Sequence, residues 1–338
     1  MPDASVDKQA PTMRRPSAGV AMCTYNGARF LQAQLDSIAA QTELPQRMAI
    51  VDDGSDDESW ALLRRWAATA PFDVKLHRNP QTLGVTRNFE RAVGLLDQDV
   101  VFLADQDDVW YPGKLATFVD RFASDGALGL LHSDADLIDG EGKPIGRRLF
   151  ETLLVTEQER SDVGQGKAYR VYAKRNLVTG AASAFRRHVL LQSLPFSDGW
   201  VHDEWLAFTA ALTSKVALLD APLMAYRLHG SNVIGVPIPD LAWRLRTIVS
   251  AFWQPVADRQ KLRALRLREM QLHAGRVGAP VEMQRHLSDA ADHAEFRGHL
   301  PRNPITRLSR ILEERRAGHY HAWSNGETSM LHDLLLGS

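Results

Sequence analysis

The sequence is poor in cysteine and in long apolar runs, with a single Cys23 among its 338 residues. A lone cysteine excludes an internal disulfide. No segment approaches the roughly 18–20 consecutive apolar residues that a membrane-spanning helix requires. The first 17 residues lack the apolar core of a signal peptide, and we expect them to form a disordered lead-in. These absences favour a cytoplasmic protein.

Two common nucleotide-binding signatures are also missing. The chain contains neither a GxGxxG fingerprint nor a Walker-type phosphate loop. Internal repeats and low-complexity tracts are absent as well. Any nucleotide would therefore be held by carboxylates on its base and ribose, and by a metal ion on its diphosphate.

Charge is balanced over the whole chain but uneven along it. Lys and Arg number 40, against 41 Asp and Glu. Residues 241–338 carry 15 basic and 10 acidic side chains, whereas the preceding 240 residues carry 25 and 31. The sign changes near Pro237 and Pro239, which predicts a main domain over 18–236 and an extension over 237–338. The arginines of this extension would suit an anionic surface, unless they form ordinary solvated helix faces.

Strand and helix patterns alternate through the first hundred residues. Apolar runs at 18–23, 47–51, 74–77 and 100–104 are typical of buried strands, and helical spacing follows each of the first three. Ser55, which is followed by acidic residues, indicates a helix start. Alternating units of about 25–30 residues predict a mainly parallel α/β sheet with helices on both faces.

The later patterns are less regular. Residues 128–132 and 216–219 have strand character, 133–148 are a loop or hairpin, and 203–212 are helical. Beyond residue 237 we predict helices only, with apolar stripes within 241–252 and 305–312.

An acidic cluster directly follows the apolar run 100–104. Asp105, Asp107 and Asp108 lie within four residues, and carboxylates crowded at the end of a buried strand repel one another and lose hydration. Exposure of the loop would relieve this repulsion, and so would a divalent cation shared with a phosphate. Ligands of open α/β sheets bind outside the carboxyl ends of the strands. Residues 24–26 and 52–53 follow two other strands, so we expect one shared crevice.

Three motifs in this order resemble the family 2 glycosyltransferases of the GT-A fold: CTYNGARFLQAQLDSIAAQT, IVDDGSDD and DQDDVW. Pro112, Lys114 and Leu115 after the third motif are similar to the bacterial rhamnosyltransferase-like branch. The resemblance extends over residues 18–233. It implies a GT-A catalytic domain with a nucleotide-sugar half over 18–108, an acceptor half over 109–236 and a helical C-terminal extension.

The resemblance also implies which residues bind the nucleotide sugar. It places Thr24 and Tyr25 beside the base, with Asn26 in the same site. Asp52, with Asp53 as its neighbour, would accept a hydrogen bond from a base N–H. A turn and a helix cap are the structural alternative for the segment that begins at Asp53.

Four further donor-side residues follow from the same likeness. Gly84 and Asn88 match the element that closes over the nucleotide, with ordinary turn and helix chemistry as the alternative. Asp105 would contact the ribose and share the metal site. Asp107 would bind Mg²⁺ or Mn²⁺ on the diphosphate, while Asp108 braces the loop.

Two later segments would complete the site. The segment WVHDEW at 200–205 resembles the acidic motif under the acceptor site, and it makes Asp203 the candidate base for an inverting transfer, with Glu204 as the alternative. Helix capping is the structural alternative for Asp203. The segment YRLHGSN at 226–232 resembles a motif in which His229 would complete the metal shell and Arg227 would reach the diphosphate. A plain turn is the alternative there.

The function implied is metal-dependent, inverting transfer of a sugar in bacterial cell-surface polysaccharide synthesis. L-rhamnose from dTDP-L-rhamnose is the first candidate, a UDP-sugar is the alternative, and the acceptor would be lipid-linked or a free saccharide. The processive synthases' Gln-x-x-Arg-Trp motif is absent, which favours addition of one or a few sugars. No nucleic acid partner is predicted. The extension would rest on the inner leaflet of the membrane or pair two copies of the chain. The alternative is a non-catalytic nucleotide-sugar-binding module.

Overall fold

The computed structural model describes residues 14–230 and 256–336. Nine strands in this part of the chain form one mixed sheet. The strands are β1 (Ala18–Thr24), β2 (Arg47–Asp52), β3 (Asp73–Arg78), β4 (Val100–Ala104), β5 (Val109–Trp110), β6 (Leu128–Ile138), β7 (Pro144–Arg148), β8 (Ser183–Arg186) and β9 (Lys215–Arg227).

Helices connect these strands and form the C-terminal extension. In the main domain they are α1 (Ala28–Ala39), α2 (Ser59–Ala67), α3 (Val85–Gly94), α4 (Lys114–Ser124), α5 (Leu149–Thr152), α6 (Glu157–Gly164), α7 (Ala168–Tyr172), α8 (Arg187–Ser193) and α9 (His202–Thr213), with a 3₁₀ turn at Gly180–Ala182. In the extension they are α10 (Val256–Arg276), α11 (Val281–Gly298), α12 (Pro304–Arg316), α13 (His319–Trp323) and α14 (Glu327–Leu336).

The strand order is β3-β2-β1-β4-β8-β6-β9-β5, and β7 pairs with β6. The first four strands in this order run parallel to one another. β8 is antiparallel to both β4 and β6, whereas β9 runs parallel to β6 and antiparallel to β5. The predicted mixed α/β sheet with a parallel first half is confirmed.

Two apolar cores lie on the two faces of this sheet. Side chains of successive strand residues point to opposite faces. Accordingly Val20 and Met22 pack in a cluster with α1 and α4, while Ala21 and Cys23 join a second cluster with α3 and α9. All seven residues of β1 are buried. A continuous apolar run is therefore what a strand covered on both faces needs.

Three local predictions differ from the structure. Ser55 does not start a helix, because its N–H and its hydroxyl both donate to the Asp52 carboxylate, and α2 begins only at Ser59. β6 continues through the predicted loop and pairs with β7, so the hairpin alternative is the correct one. β9 runs to Arg227 instead of ending at Leu219, with a register shift between its two halves.

The extension packs on the main domain. Leu267 and Met270 of α10 are buried in the same cluster as Trp205 and Phe208 of α9. The predicted stripe at 305–312 is only partly buried: Ile311 is covered, but Ile305 is 81% exposed. Arg307 takes an inward position instead, because its guanidinium donates to three backbone carbonyls. The stripe at 241–252 and the boundary near residue 237 lie outside the described residues.

Across the described ranges, no helix combines the length and the apolar character needed to cross a bilayer.

Candidate active site

The carboxyl ends of β1, β2 and β4 meet at one edge of the sheet. Thr24 lies opposite Asp52 in the β1–β2 register, and Ala104 lies opposite Met22 in the β1–β4 register. The acidic loop 105–108 therefore follows directly beside the end of β1. The structure brings together the three polar groups that the sequence places at strand ends.

Gln106 fastens the acidic loop to the end of β1. Its side chain accepts from the Tyr25 N–H at 2.9 Å and donates to the Tyr25 carbonyl at 3.0 Å. A Cβ at Gly27 would lie 2.1 Å from the Gln106 Oε1 atom, so only glycine leaves room for this side chain. Asn26, at φ +47°, forms the turn between them. Sequence reasoning missed this contact, and the glycine after Asn26 was its only signal.

Asp52 is fully buried and its acceptor positions are occupied. It accepts from the Thr24 hydroxyl at 3.0 Å and from the Ser55 N–H and hydroxyl at 3.0 and 2.6 Å. Arg78 Nε lies 3.4 Å from Asp52 Oδ1. A carboxylate has about four lone-pair positions. The contacts of Asp52 thus organise the turn after β2.

Asp53 holds the segment that leads into α3. Its Oδ1 accepts from the Leu83 N–H at 2.8 Å and from the Asn79 amide at 2.6 Å, and its Oδ2 accepts from the Gly84 N–H at 2.9 Å. Among the described residues, Oδ2 accepts this single hydrogen bond and keeps spare acceptor capacity. Gly84 has φ +83°, a conformation that glycine adopts without strain.

Asn88 is buried in the same network. Its side chain accepts from Asn79 at 2.8 Å and donates to the Val51 carbonyl at 3.0 Å. The amide therefore ties α3 to the end of β2, and it is 2% exposed. Its contacts are those of a residue that shapes the donor-side loop.

The acidic loop is an electrostatically crowded place. Burial, followed by the charges of Asp107 and Asp203, raises the pKa of Asp105 to about 8. Burial, followed by the charges of Asp107 and Asp105, raises the pKa of Asp108 well above its ordinary value. These shifts identify the loop as a site where a positive charge would be favourable.

Lys114 is a fully buried cation beside this loop, and sequence reasoning recognised it only as part of the motif. Burial lowers its pKa to about 7, against the opposing effect of Asp108 and Asp105. Its Nζ donates to the Ala181 carbonyl at 2.5 Å and lies 4.0 Å from the centre of the Trp110 ring. Lys114 thus links the acidic loop to the 3₁₀ turn at Gly180–Ala182.

The end of β9 closes the acidic loop from the other side. His229 Nε2 lies 2.8 Å from Asp107 Oδ2, and its ring packs 4.7 Å from that of Phe30. The Arg227 N–H donates to Asp108, and its Nε donates to the Asp107 carbonyl at 2.7 Å. Arg227 and Asp108 therefore both stabilise the conformation of the acidic loop.

The residues of the loop suit a divalent cation that a diphosphate helps to hold. Within the described ranges, no three His, Cys, Asp or Glu side chains are grouped closely enough to hold a metal by themselves. Mg²⁺ in nucleotide sites is commonly bound by one or two carboxylates together with substrate phosphates. Asp107 with His229 in contact, and the crowded Asp105 beside them, fit this donor set.

Asp203 lies in the first turn of α9, opposite the acidic loop. Val201 is the N-cap residue, so Asp203 does not cap the helix. Its carboxylate accepts from the Gly180 N–H at 2.9 Å and from the Glu204 N–H at 2.7 Å. Burial raises its pKa to about 6, against these hydrogen bonds, which lower it. A partly desolvated carboxylate that is ionised at neutral pH is suited to accept a proton.

The two neighbours of Asp203 differ from it in character. Glu204 forms an ion pair with Arg266 of α10. His202 is 5% exposed, its ring stacks 4.0 Å from that of Phe89, and burial lowers its pKa to about 3. Neither of its ring nitrogens has a hydrogen-bond partner among the described residues. A Cβ at Gly180 would lie 3.1 Å from His202 and 3.3 Å from Asp203, so this glycine lets the turn approach α9 closely.

The family model of glycosyl transferase family 2 matches residues 19–190. An uncharacterized glycosyltransferase of Nostoc sp. is 32% identical over 63% of this chain and 65% of its own length, so the chain spans less than two thirds of that relative. The dTDP-rhamnosyl transferase RfbG of Shigella flexneri is 26% identical over 64% of this chain and 74% of its own.

Two solved structures share the fold. Residues 1–349 of Staphylococcus aureus TarS, in complex with UDP-GlcNAc, superpose with a TM-score of 0.53 at 14% identity, over 93% of this chain and 91% of that one. The mannosyltransferase PcManGT of Pyrobaculum calidifontis, in complex with GDP-Man and Mn²⁺, gives a TM-score of 0.51 at 20% identity, over 96% and 88%. These matches confirm the predicted GT-A fold.

Proposed function

Because the chain belongs to glycosyl transferase family 2, we propose that it is an inverting, metal-dependent glycosyltransferase. It moves a sugar from a nucleoside diphosphate to an acceptor hydroxyl. One observation carries this proposal: a buried carboxylate with a pKa of about 6 faces the acidic loop closely enough for its charge to raise the pKa of Asp105. The site therefore has a base on one side and a place for the departing diphosphate on the other.

Asp203 is the proposed base, in preference to Glu204. The Glu204 carboxylate is engaged by the Arg266 guanidinium of α10, which holds it in an ion pair. Within the part of the chain that the structure describes, the Asp203 carboxylate accepts hydrogen bonds from backbone N–H groups alone. It takes the proton of the acceptor hydroxyl as that oxygen attacks the anomeric carbon, and the bond from this carbon to the diphosphate oxygen breaks.

The contacts in the structure support the following donor-side assignments. We assign Thr24, Tyr25 and Asn26, at the end of β1, to the pocket of the nucleotide's base. Asp53 is the better placed of the two neighbouring carboxylates to accept from a base N–H, because Asp52 is already occupied by Thr24, Ser55 and Arg78. We assign Gly84 and Asn88 to shaping this pocket.

The diphosphate would lie at the acidic loop. Asp105 is assigned to the ribose and the metal, and Asp107 and His229 are assigned to Mg²⁺ or Mn²⁺. The bound metal would offset the negative charge that develops on the departing nucleoside diphosphate. Arg227 contributes by holding the loop, and its positive charge offsets part of the negative charge there.

For the donor we propose dTDP-L-rhamnose first, supported by the similarity to the Shigella dTDP-rhamnosyl transferase. A UDP-sugar is the alternative. We propose a lipid-linked or free saccharide as acceptor, in cell-surface polysaccharide synthesis. Exposed leucines on α10, at positions 262, 265 and 272, support contact of the extension with the inner face of the membrane or with a second copy of the chain.

A donor screen tests the proposal. The purified protein is incubated with Mn²⁺ and dTDP-L-rhamnose, UDP-GlcNAc, UDP-glucose or GDP-mannose, and nucleotide release and transfer to octyl glycosides are measured. Thermal stabilisation by dTDP, UDP or GDP is measured in parallel. We expect release and transfer with one donor class. Stabilisation without any release would favour a non-catalytic binding module, and neither effect with any nucleotide would overturn the proposal.

A further inference from the structure

We propose that helix α10 of the extension helps to form the acceptor site, with Arg266 and Glu269 as positioning residues for Asp203. This inference rests on the proposed function and deepens it. The relevant segment, called the acceptor loop below, comprises residues 194–201 between α8 and α9. It leads directly into the turn that carries Asp203.

Glu269 holds the acceptor loop at two points. Its Oε1 accepts from the Ser197 hydroxyl at 2.5 Å, and its Oε2 accepts from the Trp200 indole N–H at 2.9 Å. Hydrogen bonds to a carboxylate are roughly twice as strong as neutral ones. One side chain of the extension therefore fixes two loop residues at once.

Arg266 contacts the residues on both sides of Asp203 in the sequence. Its guanidinium pairs with Glu204 and lies 3.8 Å from the centre of the Trp200 ring. Arg266 and Glu269 are three residues apart, so they share one face of α10. One turn of α10 thus holds both Glu204, which follows Asp203, and Trp200, which precedes it by three residues.

The main domain also holds this loop, but through longer or more exposed contacts, such as the Phe196 N–H that donates to Glu90 at 3.3 Å. Thr86 donates to the Trp200 carbonyl at 3.2 Å, and Arg87 pairs with Asp198, whose side chain is 79% exposed. Exposed ion pairs contribute little. The matched part of the family model ends at residue 190, before the acceptor loop. Asp203, Arg266 and Glu269 all lie beyond the residues that this model matches.

The first test compares Glu269→Gln with Glu282→Gln. Glu282 lies on α11 and accepts from Arg170 at 2.8 Å, so it also joins the extension to the main domain, but away from the acceptor loop. Hydrogen–deuterium exchange is measured on both variants. We expect faster exchange in residues 197–205 for Glu269→Gln only. Equal exchange in that segment for wild type and Glu269→Gln would overturn the proposal.

The second test separates positioning from simple stability. With the donor found in the screen and octyl glycosides as acceptors, we expect Glu269→Gln to lower kcat about 10- to 100-fold, because a displacement near 1 Å costs that much. The KM for the donor should stay unchanged. Trp200→Phe, which removes only the indole N–H, should also lower kcat, and the two substitutions together should cost less than the product of their separate effects.

The outcomes distinguish the two proposals. If the wild type transfers no sugar from any donor, the proposed function fails and this inference fails with it. If the wild type transfers sugar and Glu269→Gln has the same kcat, only this inference fails. An equal loss of kcat in Glu282→Gln would also overturn it, since the effect would then come from loosening the extension as a whole.

Discussion

Asp203→Asn should abolish transfer without weakening the fold. The substitution keeps the size of the side chain but removes the proposed base, and general base catalysis contributes about 10²- to 10⁴-fold to a rate. We therefore expect kcat for transfer to fall by that factor. Nucleotide binding should be unchanged, because the side-chain contacts of Asp203 are made with Gly180 and Glu204 of the acceptor half.

The stability of this variant follows from the burial of Asp203. A rise of its pKa from 3.8 to about 6 corresponds to a cost of about 3 kcal/mol for keeping it charged at neutral pH. Asparagine removes that cost, but its amide can accept only one of the two N–H groups, a loss of about 1–2 kcal/mol. At pH 7 the variant should thus be at least as stable as the wild type.

The sign of the pH dependence is fixed by the same shift. A folded pKa above the unfolded value means that the folded chain binds the proton more tightly, so this group stabilises the fold at low pH. That contribution is lost as the pH rises from about 4 through 6. Activity changes in the opposite direction, because the base must be ionised: kcat/KM should fall about tenfold per pH unit below pH 6.

The assays are a pH profile of transfer and urea unfolding of wild type and Asp203→Asn at pH 4.5 and 7. Glu204→Gln is the matched control, and it should keep the acidic limb of the profile near pH 6. Wild-type transfer rates in Asp203→Asn would refute the assignment of the base. An acidic limb near pH 4 in the wild type would instead refute the argument from burial.

Three further predictions concern the acidic loop and the extension. Gly27→Ala forces Gln106 away from Tyr25 and should weaken nucleotide binding about 30-fold by calorimetry, since two hydrogen bonds of about 1 kcal/mol each are lost. The control Gly94→Ala, whose Cβ meets nothing within 4 Å, should bind normally. Chelation by EDTA should abolish thermal stabilisation by dTDP or UDP, and added Mn²⁺ should restore it. The restoration should be smaller in His229→Ala than in the wild type. An unchanged melting temperature of the nucleotide complex in EDTA would contradict a metal site. Asp333→Ala leaves the buried Arg297 unpaired and should lower the free energy of unfolding of the extension by about 3–5 kcal/mol in urea, and an unchanged unfolding curve would contradict this.

The sequence predicts the first half of the fold well because local and tertiary signals agree there. The apolar runs at 18–23, 47–51, 74–77 and 100–104 match β1 to β4 within a residue at each end. The predicted β6 is too short because local and tertiary signals disagree there. Ser133 and Asp134 belong to the segment predicted as a loop or hairpin, yet both are buried in the strand, where the Phe150 N–H donates to Asp134.

The site residues show the same limit. The motifs indicate which side chains gather at the sheet edge, but they do not tell which acceptor positions are already occupied. Asp52 and Asp53 are adjacent in sequence, and only the structure distinguishes them, through partners such as Thr24, 28 residues away. Lys114 and Gln106 act through contacts 67 and 81 residues distant. No local pattern encodes such pairings.

The closure of the acidic loop by β9 also has a consequence during synthesis of the chain. The Arg227–Asp108 and His229–Asp107 contacts span 119 and 122 residues of sequence. β1 to β4 can pair as soon as they leave the ribosome, but the loop stays open until residue 229 has emerged, since closing so long a segment is entropically costly before the intervening strands have formed. A nascent chain stalled before that residue can bury its first core, yet it lacks the contacts that hold the acidic loop. The last of the nine described strands thus completes the candidate site.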